Sequence, residues 1–189
     1  MSHRHVDTRD QRMTFRSRFC RVLAICCVVL AMAHDLRGAD TVGEAQVKAA
    51  FLFNVVKFVQ WPPSDLSADS VVIGLVSRDS FRRALEAVVN GKTVNGRSIV
   101  VRELHDEEEA RGCQIVFFDE ASDGSRRNGI LRLVRDDAVL TVGETSKFLA
   151  EGGLVRLYVE GDRLRFQIDP VGVQLSGLKV SAQLMSLAK

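Results

Sequence analysis

Past residue 38 this sequence holds one cysteine, Cys113, and one histidine, His105. One of each excludes an internal disulfide and the usual zinc sites, which draw several ligands from these residues. Neither a low-complexity linker nor an internal repeat interrupts the chain, so a single domain is expected from its 189 residues. Excess charge of one sign is missing too. The formal net charge is +2, but residues 1–38 carry seven Arg against three Asp, leaving 19 basic and 21 acidic residues beyond them. That balance favours neither nucleic acid nor an anionic membrane surface. The nucleophile pattern G-x-S-x-G, the phosphate loop G-x-x-x-x-G-K-[ST] and the alternating oxygen ligands of a calcium loop are all absent. Gly152-Gly153 and the stretch Gly172 to Gly177 do not follow a strand in the way a phosphate fingerprint requires. No catalytic residue, metal site or cofactor is expected.

Long hydrophobic runs are rare, and the one at Val22 to Ala33 has a specific context. Arg12, Arg16, Arg18 and Arg21 precede it, and Ala31-Met32-Ala33 ends it as an A-x-A cleavage site. Twelve apolar residues are too few to cross a bilayer, which needs about 20. Residues 1–38 therefore read as a cleaved signal peptide, with cutting after Ala33 or after Gly38 and with Met1 or Met13 as the start. Cys20, Cys26 and Cys27 leave with it. A soluble protein exported to the periplasm is expected, without stable membrane insertion.

Residues 39–189 then read as one α/β domain. Glu44 to Trp61 is expected to be a helix with Val47, Ala50, Phe51, Asn54, Val55 and Phe58 on one stripe, stopped by Pro62-Pro63. Six strands are expected: Val71 to Val76, Ser98 to Arg102, Gln114 to Phe118, Val139 to Val142, and the pair Leu154 to Val159 and Arg163 to Ile168. The last two flank Glu160-Gly161-Asp162 as a hairpin. Helices are expected over Asp79 to Val89, Asp123 to Asp136, Thr145 to Ala150 and from Pro170 to Leu187. Strands alternating with helices predict a single three-layer domain, mostly parallel, with about five helices covering both sheet faces.

The polar residues give little chemistry. His105 sits beside Asp106 and Glu107 as a surface group, and Cys113 leads into an apolar strand as a buried, inert thiol. Phe53 and Trp61 fall outside the core stripe of the first helix. Exposed there, they would form a partner-binding patch together with Pro62. Arg97 and Arg102, at the ends of one strand, are candidates for an anionic ligand.

Several stretches in order resemble the YfiR-like family of periplasmic proteins. They are Lys48-Ala49-Ala50-Phe51-Leu52-Phe53-Asn54 through Lys57-Phe58-Val59 to Trp61-Pro62; Lys92-Thr93-Val94-Asn95-Gly96-Arg97-Ser98 through Arg102; and Cys113-Gln114-Ile115-Val116-Phe117. Further on come Val139 to Val142, Phe148, Gly152-Gly153, Arg165-Phe166-Gln167-Ile168, and Ser176-Gly177-Leu178-Lys179-Val180-Ser181-Ala182-Gln183-Leu184. The resemblance implies a non-enzymatic repressor that binds the periplasmic part of an inner-membrane diguanylate cyclase, lowering cyclic di-GMP and restraining biofilm growth. This chain departs from the pattern at Ser77-Arg78-Asp79, where the family tends to have Gly-Asp. It also keeps only Cys113 where redox-sensitive relatives carry paired cysteines. Two other readings stay open: a periplasmic small-ligand receptor, which needs a deep polar pocket, and a hydrolase, which needs a cluster of titratable groups. A homodimer also stays open.

Overall fold

The alternation of the β-branched runs decides the layers. In the computed structural model, which describes residues 43–62 and 69–189, strand β2 (Ser70–Val76) turns Val71, Ile73 and Leu75 to one apolar cluster and Val72 and Val76 to another. Strand β5 (Ile115–Phe118) does the same with Ile115 and Phe117 against Val116 and Phe118. Successive side chains on a strand point to opposite faces, so each strand serves two cores. The first cluster is closed by helices α1 (residues 43–55) and α2 (Asp79–Val89), the second by α3 (Gly124–Leu133). Phe81 of α2 stacks on Phe117 with ring centroids 4.4 Å apart.

The main sheet has seven strands in the order β3-β4-β2-β5-β6-β7-β8. The remaining members are β3 (Thr93–Val94), β4 (Arg97–Glu103), β6 (Leu140–Gly143), β7 (Val155–Glu160) and β8 (Arg163–Ile168). β4, β2, β5, β6 and β7 run parallel, and β3 and β8 are antiparallel at the two edges. The hairpin sits at the β8 edge, as its alternation requires. The parallel strands from the expected set of six all form. The seventh is β3, whose two residues lie across the Asn95-Gly96 turn (φ 52° and 78°) from β4.

Three local expectations are corrected. The first helix does not reach Trp61. It tightens into a 3-10 turn at Val56–Phe58, and Val59 is extended (φ −115°, ψ 136°). Val59–Gln60 is strand β1, paired antiparallel with β9 (Lys179–Val180) in a separate two-stranded sheet. Second, Thr145 to Ala150 is a series of turns, folded around the fully buried ring of Phe148. Third, the segment after Pro170 is two short helices, α4 (Pro170–Leu175) and α5 (Ala182–Leu187). Gly177 at φ 76° breaks the run, and Ser181 caps α5 by accepting from Leu184 N–H at 3.2 Å. The signal-peptide segment and the loop at 63–68 lie outside the described residues.

Candidate partner-binding surface

The face of α1 that is buried is Ala49, Leu52, Val55 and Val56. The stripe expected from sequence is rotated off it: Val47 is 52% exposed and Asn54 is exposed. Phe51 and Phe53 flank Leu52 at about 100° to either side, and both are half-buried. Phe51 packs on Phe166 of β8 with centroids 5.1 Å apart. Lys48 anchors the same helix to the end of β6. Its ammonium lies 2.6 Å from Glu144 and 2.5 Å from Glu44. Burial pulls the Lys48 pKa down, but the hydrogen bonds to Glu144 and Glu44 outweigh it, and the pKa is raised.

Phe53, on the other flank, partly packs on the core and carries two cations on its ring. Lys57 Nζ is 4.5 Å from the ring centroid and Lys92 Nζ is 4.9 Å. Lys57 also donates to Asn54 Oδ1 at 2.9 Å. One helical turn separates Asn54 from Lys57, and Lys92 arrives from the turn after α2. An aromatic ring between two ammonium groups, each worth about 0.5–1 kcal/mol at an exposed site, is a rigid, positively charged surface feature.

Trp61 does not belong to this surface. It is 8% exposed, and its indole N–H donates to the backbone oxygen of Gln114 at 3.1 Å. Because β1 is extended, Trp61 leaves the helical register and turns into the core at the start of β5. Gln114 is itself buried, and its side-chain oxygen accepts Val72 N–H at 2.8 Å. Pro62 is half-buried and lines a cleft of about 590 Å³ with Arg111, Gln114, Asp136, Asp137 and Ser176. Arg111 Nε lies 3.5 Å from Asp137 Oδ2 there. The expected trio Phe53, Trp61 and Pro62 is therefore not one patch.

Arg97 and Arg102 do not converge either. Five residues separate them, an odd number, so they project from opposite faces of β4. Arg97 donates to Ser70 O at 2.5 Å, and Arg102 is exposed. A single ligand cannot be held between them. The crevice at the carboxyl ends of β2, β4 and β5, where parallel sheets usually bind ligands, is small, about 250 Å³. Its polar groups are largely used internally: Asp119 accepts Arg78 N–H at 2.9 Å and the Ser122 hydroxyl at 3.0 Å. His105 is exposed, and Cys113 is buried with its thiol pushed up to about 11, chiefly by burial. No helix among the described residues is long and apolar enough to cross a membrane.

The residues that build these features coincide with a family match: the model DUF4154, YfiR/HmsC-like, fits residues 45–189. The chain belongs to the YfiR/HmsC-like family. Proteins of this family are, in general terms, periplasmic regulators of diguanylate cyclases rather than enzymes. Among solved structures, a conserved domain protein from Vibrio cholerae O1 biovar El Tor is similar at 11% identity and TM-score 0.46, over 67% of this chain and 56% of its own. This chain thus spans little more than half the length of that protein.

Proposed function

We propose that this YfiR/HmsC-like chain is exported and represses an inner-membrane diguanylate cyclase by binding its periplasmic part, so that less cyclic di-GMP is made. The observation that carries the reading is the family match across 45–189, which takes in nearly everything beyond the expected signal peptide. The Phe53, Lys57 and Lys92 cluster supports it as a contact feature, since a partly exposed ring held by cations suits an anchor for a partner. Exported chain carrying a C-terminal affinity tag, recovered from solubilised inner membrane, tests it. A membrane protein with a diguanylate cyclase domain should co-purify, and less of it with Phe53→Ala. Recovery of the chain alone, in cells that make such cyclases, argues against the reading.

The receptor reading has one observation in its favour, the cleft beside Pro62, where Arg111, Asp136 and Asp137 offer both signs of charge. It predicts that a small zwitterion raises the melting temperature of the purified chain, and that Arg111→Ala removes the effect.

A further inference from the structure

β4 is seven residues long and its outer neighbour β3 only two. β3 reaches Arg97 and Ser98 and no further. Before Thr93 the chain turns away: Gly91 is left-handed at φ 66°, and Lys92 N–H donates to Val89 O at 2.9 Å. Among the described residues, no strand covers the outer edge of β4 from Ile99 to Glu103.

The hydrogen bonds into β2 fix what that edge presents. Ser98 N–H donates to Asp69 O and Leu104 N–H to Leu75 O, both at 3.0 Å. Even-numbered residues therefore face β2, and the period of two turns the N–H and C=O groups of Ile99, Val101 and Glu103 outward. A row of unpaired backbone groups is a template for another strand.

A groove of about 640 Å³ lies along this edge, between it and α2. Ile99 and Val101 form part of its floor, and Arg83 and Lys92 are exposed on its rim. Glu86, in the same groove, is engaged by Arg82 at 2.9 Å. Neither Arg83 nor Lys92 forms an ion pair with a described carboxylate. Lys92 is also the cation on the Phe53 ring, so groove and aromatic cluster are continuous. On the opposite face of β4, Val100 is 40% exposed.

We infer that the outer edge of β4 receives an extended segment of the partner protein as an added strand, a reading that rests on the regulatory role proposed above. The segment alternates acidic and apolar residues, the acids toward Arg83 and Lys92 and the apolar side chains toward Val100. A second copy of this chain suits the edge less well. Antiparallel pairing across a two-fold axis sets each α2 beside the other, and Arg83 and Lys92 then approach cations in place of carboxylates.

The probe is a short capped peptide of alternating Glu and Val, titrated into the exported chain, with its Lys-for-Glu counterpart as control and amide NMR as readout. The Glu peptide should shift the amides of Ile99, Val101 and Glu103 and protect them from exchange. The Lys peptide should bind at least about tenfold more weakly, a difference of about 1.4 kcal/mol. The double variant Arg83→Glu and Lys92→Glu should reverse that preference with an unchanged melting temperature, since both side chains are exposed. Val101→Pro should remove binding, because it deletes an outward N–H that β2 does not use. Equal affinity for the two peptides, binding without change at those three amides, or no binding of either overturns the proposal. So does a dimer in sedimentation that Val101→Pro dissociates. If the Glu peptide binds as described but the chain leaves cyclic di-GMP unchanged in cells, the edge stands as a strand-addition site and the regulatory reading falls.

Discussion

Replacing Trp61 with Ala should destabilise the domain severely. Its indole is 8% exposed and packs in the same cluster as Leu52, Val56 and Ile115, with its N–H on Gln114 O. Truncating a buried aromatic of this size costs about 3–5 kcal/mol, from lost burial and the cavity left behind. At about 2–4 °C per kcal/mol for a domain of this length, the midpoint should fall by roughly 6–20 °C. Trp61→Phe separates the two contributions. The ring stays, and Gln114 O still receives Leu140 N–H at 2.9 Å, so no buried acceptor is orphaned. Only the indole hydrogen bond goes, at about 1 kcal/mol. The assay is built in, because Trp61 is the single tryptophan of the chain. Its emission should be blue-shifted, resist iodide quenching in the folded protein, and move to the red at the thermal midpoint. Quenching in the native state as fast as in denaturant, or an unchanged midpoint in Trp61→Ala, would refute the placement of this residue.

Phe53→Ala should lose less than about 2 kcal/mol, since only part of its ring is buried and the two cation contacts are solvent-exposed; chemical denaturation against Trp61→Ala shows the contrast. Gly153→Ala should cost at least about 1–3 kcal/mol, because its Cβ would enter the buried Phe148 ring at an otherwise ordinary backbone angle; a Phe148→Leu background should relieve part of the loss. The Cys113 thiol is raised from 9.0 to about 11, so its contribution to stability is complete below pH 9 and is lost as pH rises through 11. Unfolding curves should weaken over that window, and less so in Cys113→Ala. At pH 8 the folded protein should resist thiol alkylation.

The parallel core was legible in the sequence because its strands are dense β-branched and aromatic runs. Val71 to Val76 and Ile115 to Phe118 have burial on both faces written into composition, and Asp79 to Val89 reads directly as a helix. The first helix was less legible because apolar residues surround it. With Val47, Ala49, Ala50, Phe51, Leu52 and Phe53 in a row, periodicity does not single out Leu52 as the buried centre. Its early end depends on Val180, which draws Val59 into strand pairing from 121 residues away along the chain. No local signal at Val59 reports that, and the error moved Trp61 from core to surface. Two features were readable but missed. Ser176-Gly177 was a helix stop inside the final segment. The five-residue spacing of Arg97 and Arg102 already placed them on opposite faces of one strand. The uncovered edge of β4 follows from the mismatch between a seven-residue and a two-residue strand, which needs the pairing register to be seen.

The central claim is that this chain restrains cyclic di-GMP synthesis by protein contact outside the cytoplasm. The direct measurement is the cellular cyclic di-GMP level in cells that export the chain, compared with cells exporting the Phe53→Ala variant and with cells exporting neither. The account predicts a lower level with the native sequence and at least partial recovery with Phe53→Ala at equal periplasmic abundance. A level that stays the same in all three strains contradicts it.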